Sequence, residues 1–395
     1  MIPVNSFMVL GFGALAIAAG AYLHRKVTLL KRFLIPPPIL GGLMLAAPTL
    51  LLRHWGWELE VDSTTQQVAM VALFTSVGFN MNREAIVKGG RPVLLLLGMF
   101  FLGAMAQNAV GVGLARALGL HPLIGIATGA VALAGGPATS LAFGPELEKA
   151  GATGAASAAL AAAIAGILVA GVLTGILGAA LIRRDGLKAK PDQDTPAHSR
   201  SPEAATTDEL LATTVLVAVA MGLGHLVTGA INAGLQRFHT SLPAYAGAMI
   251  VAAGMRAIAP KFPRLKVNQV WNDAVGTAAL WWFIPLAVWT LRYWELARLA
   301  PPILIILAVQ LPLTIALAWV AYRIVGRTYD SAVMASAYFG FMYGTMANSL
   351  AAMAELERKF GPSPRAFIVI PIAGGLLSDV ANLVAIVTSR SLFGG

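Results

Sequence analysis

The sequence predicts an all-α polytopic membrane protein: two inverted five-helix repeats, each with a re-entrant helical hairpin. Three observations point there. The composition is too apolar for water, the loop charges orient a series of apolar runs, and short strings from the first half recur in order in the second.

Of 395 residues, 57% are hydrophobic and only 12% charged, about half the charged share of a soluble domain. A chain of this length must bury such surface in lipid. The absence of cysteine excludes disulfides, thiolate chemistry and Cys-based metal sites. The net charge of +10 fits the Lys/Arg excess of cytoplasmic loops. No basic run is long or interleaved with aromatics, so nucleic acid is not an expected partner. The first 23 residues have no basic leading region and no small-residue cleavage site, so they read as a first span.

Spans of about 20 apolar residues fall near 4–23, 35–52, 66–82, 92–115, 154–182, 209–231, 242–258, 268–291, 299–322 and 366–390. Arg25, Lys26, Lys31 and Arg32 follow the first span and place that loop in the cytoplasm. Both termini are then expected outside. Arg83, Lys88 and Arg91 fall inside by alternation, as do Arg183, Arg184, Lys188 and Lys190. Span 92–115 leaves the cytoplasm and span 154–182 must end in it. Segment 122–150 therefore starts and ends outside and has to turn back within the membrane. Segment 330–357, between Arg323/Arg327 and Arg358/Lys359/Arg365, must do the same from inside. The expected organisation is a first repeat over 1–182 with hairpin 122–150, a polar, Pro-containing cytoplasmic linker over 183–208, and a second repeat over 209–395 with hairpin 330–357.

The repeat shows in paired residues. Pro37–Gly41 matches Pro243–Gly247; Phe74, Arg83 and Pro92 recur as Phe283, Arg292 and Pro301; Gln107 corresponds to Gln310. Within the hairpins, Ala138-Thr139-Ser140-Leu141 matches Ala347-Asn348-Ser349-Leu350. An odd number of spans per half inverts the second half. Inverted repeats with discontinuous elements characterise ion-coupled secondary transporters, whose site lies at the midplane.

The candidate substrate site is the two tips, Gly135, Gly136, Pro137, Ala138, Thr139 and Ser140 with Gly344, Thr345, Asn348 and Ser349. Glycine permits close approach and Pro137 stops a helix. Half-helices meeting at a tip leave free N–H groups for a carboxylate, and hydroxyl and amide oxygens suit a hard cation such as Na⁺. Asp379 lies mid-span, where a lone carboxylate costs about 3 kcal/mol. With Ser378, with Asn382 one turn on, and with Asn80, it is the candidate coupling-ion site. Thr75, Ser76, Asn82, Gln107 and Asn108 are weaker candidates. Asp273 reads as solvated and His225 as a packing residue. Intramembrane acid catalysis needs paired carboxylates, and only Asp379 lies deep, so an enzyme is not expected. A channel would need an open polar path.

The strings IPPPILGG (35–42), LFTSVGFN (73–80), QNAVGVGLA (107–115), LGLHPLIGI (118–126), YWELA (293–297), VGRTYDSAVMA (325–335), ERKFGPSPRAFIVIP (357–371) and SDVAN (378–382), with the Gly135-Gly136 tip, resemble the bacterial sodium/glutamate symporter family across nearly the whole chain outside the linker. The resemblance implies Na⁺-driven uptake of glutamate by a homodimeric, elevator-type carrier of the inner membrane, with lipid as surroundings, Na⁺ as coupling ion and no organic cofactor. It also implies that the tips meet at the substrate. The tips depart from the family's strings. Where Gly-Gly-His-Gly-Thr is usual the chain has Gly135-Gly136-Pro137-Ala138-Thr139, and where Gly-Ala-Thr-Pro-Thr is usual it has Gly344-Thr345-Met346-Ala347-Asn348. The alternatives within reach of the sequence are a proton-coupled carrier of another small organic anion and an ion channel.

Overall fold

The structure is a computed structural model that describes residues 2–27, 37–81, 83–189, 206–235, 242–291, 293–376 and 378–393. Candidate Asn82 and most of the expected linker lie outside the described residues. In chain order the elements are β1 (Ile2–Val4), α1 (Ser6–Lys26), α2 (Pro37–His54), β2 (Leu59–Val61), α3 (Thr64–Asn80), α4 (Arg83–Ala117), α5 (Pro122–Ile126), α6 (Gly136–Lys149), α7 (Ala155–Arg184), α8 (Thr207–Leu235), α9 (Tyr245–Ile258), α10 (Gln269–Trp289), α11 (Tyr293–Val325), α12 (Tyr329–Met342), α13 (Met346–Phe360), α14 (Pro364–Ile370) and α15 (Ser378–Phe393). Among the described residues five helices are long and apolar enough to cross a membrane: Ser6–Lys26, Gly90–Ala117, Ala155–Arg184, Thr207–Gly234 and Arg298–Val325.

Two compact units interleave along the chain, the first holding Met1–Asn82 and Arg200–Arg292, the second Arg83–Ser199 and Tyr293–Gly395. Each half of the sequence thus supplies three helices to the first unit, while the second collects both hairpin segments.

In the first unit, Asn5 caps α1 by accepting from the Met8 amide at 3.0 Å, and His24, Arg25 and Lys26 sit in its last turn, where the helix dipole favours positive charge. The expectation of a purely helical chain is corrected by a short parallel pair, with Ile2 opposite Leu59 and Val4 opposite Val61. Three residues are too few to leave a period-two pattern in a sequence. Asp62 closes this knot by accepting from the Ser6 hydroxyl at 2.7 Å.

Helices in this unit pack backbone to backbone. A Cβ on Gly41 would land on the Ala16 carbonyl of α1, and one on Gly20 would fall 2.7 Å from the Gly41 nitrogen. Gly224 of α8 and Gly247 of α9 press together in the same way. In lipid no hydrophobic effect drives helices together, so close approach over small residues supplies the attraction. Gly41→Val is therefore expected to destabilise the protein by at least the roughly 1–3 kcal/mol typical of overpacking. Thermal unfolding in detergent checks it, with Gly11→Val as control because a Cβ there meets nothing within 4 Å.

In the second unit the chain over 122–149 rises through α5 and a π turn (Ala127–Val131), bends at Ala134–Gly135 and returns as α6. At its open end His121 Nε2 lies 3.5 Å from the place of a Cβ on Gly151. The chain over 329–360 folds α12 against α13 through Tyr343-Gly344-Thr345. Its open end is tied by Ser363 Oγ donating to Asp330 at 2.5 Å and Tyr329 donating to the Gly361 carbonyl. Arms of 14 or 15 residues (α6, α12, α13) reach about 21–22 Å at 1.5 Å per residue. That falls short of a ~30 Å hydrocarbon core.

The expected continuous span 366–390 is corrected: it is broken into α14, a π turn at Pro371–Leu376, and α15. Pro371 removes an amide donor mid-span, and the glycines that follow tolerate the irregular backbone. Gly90 (φ 61, ψ −153) likewise breaks α4 near its start.

Candidate functional site

The tips of both hairpins and the break before α15 converge inside the second unit. Gly136 takes φ +67, which favours glycine, and its missing Cβ points at hairpin two, 3.7 Å from Thr345 Cγ2 and 3.9 Å from the Gly344 carbonyl. Helix α6 starts there with no side-chain cap, and with Pro137 in its first turn. A Cβ on Gly135 would fall 2.7 Å from Asn382 Nδ2, and one on Gly374 would fall 2.7 Å from Met346 Cε. Helix α7 seats both tips from behind: a Cβ on its Gly166 would strike the Tyr343 carbonyl and come within 3.0 Å of Leu133. The starts of α6, α13 and α15 therefore face one small region. A helix start presents first-turn amide N–H groups without an intrahelical partner and the positive end of the dipole; at α13 the Thr345–Asn348 capping box already takes part of that set.

The polar residues predicted for this region divide by what their atoms already do. Ser140 Oγ donates to the Gly136 carbonyl at 2.8 Å, and Ser349 Oγ to the Ala337 carbonyl at 2.7 Å. Both hydroxyls are fully buried. Each hydroxyl proton is thus spent inside its own hairpin, holding the arms in shape. Asn348 is also committed. Its Oδ1 accepts from the Thr345 amide at 3.1 Å and hydroxyl at 2.7 Å, and its Nδ2 donates to Ile167 of α7 at 3.0 Å. It closes tip two onto α7. Ser378 Oγ turns back to the Gly374 carbonyl at 2.6 Å, bracing the break. These four are positioning residues for the backbone of Gly135, Gly136, Pro137, Ala138, Thr139, Gly344 and Thr345.

Asn382 differs. Its Nδ2 donates to the Ala130 carbonyl at 3.3 Å, while its Oδ1 is buried without a partner. The Ala130 carbonyl can only accept, so the amide cannot be turned over to give its oxygen a partner there. Asp379, one turn earlier, is half-buried and forms no ion pair among the described residues. A carboxylate and an orphaned amide oxygen on one helix face suit a hard cation such as Na⁺.

Asn80 belongs to the other unit. Its Oδ1 accepts from Asn272 at 2.7 Å and from Gln269, and its Nδ2 donates to Asp273 at 3.2 Å. An oxygen already shared by two amides is a poor cation ligand, so Asn80 reads as interhelical glue between α3 and α10. Ser76 joins this cluster, donating to the Asn272 carbonyl at 2.8 Å. His225 is exposed. Among the described residues no group of three or more His, Cys, Asp or Glu could hold a metal ion. What the sequence reading missed is the broken last helix; Pro371 followed by Gly374-Gly375 inside an apolar run was the available signal.

Long apolar helices and two folded-back hairpins describe a multi-pass membrane protein. The family profile described as sodium/glutamate symporter matches residues 2–362. The sodium/glutamate symporter of Escherichia coli (strain K12) is 31% identical over 397 residues, 98% of this chain and 97% of its own. That of Haemophilus influenzae is 29% identical over 392 residues, 96% of this chain and 95% of its own. The chain belongs to the sodium/glutamate symporter family, and is thus a transporter and not an enzyme. Among solved structures, the sodium proton antiporter MjNhaP1 from Methanocaldococcus jannaschii aligns over 98% of both chains at 12% identity and a TM-score of 0.40, a likeness too loose to bear on mechanism.

Proposed function

We propose that the protein imports glutamate, or a closely related small carboxylate, across the bacterial inner membrane together with Na⁺. The observation that carries this reading is the meeting of the α6 and α13 starts at Gly136 and Thr345, with Asn382 of α15 against Gly135 and Asp379 one turn before it. The first-turn amides of α6 and α13 would cradle the substrate carboxylate, with Gly136 letting it approach the backbone. Asp379 and Asn382 would hold Na⁺ next to that anion, so each ion lowers the cost of desolvating the other.

Both roles fall to residues of one compact unit. Alternating access would then carry the site as a body, an elevator in which the first unit is the static partner. The inverted repeat follows the same reading, with the hairpins re-entering the membrane from opposite sides and both termini periplasmic. A homodimer is expected, with the static unit supplying its contact.

The test is uptake of radiolabelled glutamate into proteoliposomes. An inward Na⁺ gradient is expected to drive accumulation that collapses when Na⁺ is replaced by choline. Uptake driven by a pH gradient with Na⁺ absent would instead make Asp379 a proton carrier. No uptake of any amino or dicarboxylic acid would overturn the reading.

A further inference from the structure

Behind the tips, where α4 crosses α11, lies a second set of orphaned oxygens. Gln107 and Gln310 are fully buried, and the side-chain carbonyl of each lacks any partner. Their orientation is forced. Gln107 Nε2 donates to the Met342 carbonyl at 2.8 Å and to Thr314 Oγ1 at 3.2 Å, and Gln310 Nε2 donates to the Gln107 carbonyl at 2.7 Å. Peptide carbonyls only accept, so turning either amide over would set oxygen against oxygen. The Thr314 hydroxyl is spent on the Gln310 carbonyl at 2.8 Å.

The crossing therefore holds more acceptors than donors, in a place where a bare acceptor is costly. That imbalance attracts a cation. The groups named are amide, hydroxyl and peptide oxygens with no carboxylate, whereas Ca²⁺ and Mg²⁺ sites are built around carboxylates; the chemistry fits a monovalent ion.

We propose that Gln107 and Gln310 form a second, uncharged Na⁺ site in the second unit, apart from Asp379 and Asn382. It rests on the reading of the protein as Na⁺-coupled. The site is wired to hairpin two. Met342 is the residue just before the Tyr343-Gly344-Thr345 tip, and the Tyr343 hydroxyl donates at 2.6 Å to Leu307, one turn before Gln310. An ion drawing on the two glutamine oxygens would stiffen the tip before substrate arrives.

Binding of ²²Na⁺ to the purified full chain, without substrate, tests this. Gln310→Met removes the oxygen at similar volume and is expected to reduce the count by one Na⁺ per chain. Gln310→Glu keeps the shape, adds charge and is expected to tighten Na⁺ at least tenfold at pH 8. An unchanged count in Gln310→Met would mean that only water satisfies these oxygens and would overturn the proposal. Should Gln310→Met fail to fold, unchanged or weaker Na⁺ affinity in Gln310→Glu would overturn it as well. If wild type binds Na⁺ but glutamate uptake does not need it, the transport reading falls and the site stands. If the sole Na⁺ is lost in Asp379→Asn and kept in both Gln310 variants, only the site falls.

Discussion

Asp379→Asn is expected to cut Na⁺-driven uptake about 30- to 100-fold while leaving the Na⁺-free protein at least as stable as wild type. The size follows from the cost of the group. A lone carboxylate at membrane depth costs about 3 kcal/mol, and the start of α15 returns only about 0.3–1 kcal/mol through its dipole. No side-chain cation pairs with Asp379 among the described residues. The remaining cost of about 2–2.7 kcal/mol is offset only when a cation binds, and it corresponds to about 30- to 100-fold in affinity. A structural acid behaves in the opposite way, because its loss weakens the fold whether or not Na⁺ is present. Uptake in proteoliposomes and melting in Na⁺-free detergent separate the two.

Gly136→Ala is expected to fold and to lose most substrate binding. At φ +67 an added Cβ costs roughly 1–2 kcal/mol, a loss that a well-packed unit survives. The methyl itself fits without a clash, in ordinary van der Waals contact with Thr345 Cγ2 at 3.7 Å and the Gly344 carbonyl at 3.9 Å. The methyl would stand between the two tips, where the carboxylate is proposed to meet the amides. The expected pattern is normal expression, a small drop in melting temperature and at least tenfold weaker glutamate binding. Unaltered binding would move the substrate away from the tips. Gly166→Ala offers a contrast, since its Cβ would strike the Tyr343 carbonyl and fail through packing instead.

The long helices were readable because runs near 20 apolar residues have few other uses. Gly135-Gly136-Pro137 and Gly344-Thr345 lie where α6 and α13 begin after a turn, since breaker residues inside an apolar run have a local meaning. The assortment of helices into two interleaved units was not readable. It depends on which small-residue faces meet, and Gly41, Gly224 and Gly247 look like any other glycines in the string. Residue type also failed to separate Asn382 from Asn348. The same amide serves as a bare oxygen in one place and as a latch between Thr345 and Ile167 in the other, and only the surroundings decide. Gln107 and Gln310 matched as a repeat pair in sequence, but their unmet acceptors emerge only once α4 crosses α11.

Reciprocal binding tests the central claim, that anion and cation share the hairpin tips. Glutamate affinity would be measured calorimetrically with and without Na⁺, and Na⁺ affinity with and without glutamate. Linkage requires one coupling factor in both directions; adjacency of opposite charges at the tips predicts a mutual tightening of about tenfold or more, absent in Asp379→Asn. Glutamate that binds equally well in choline and in Na⁺ would contradict the account.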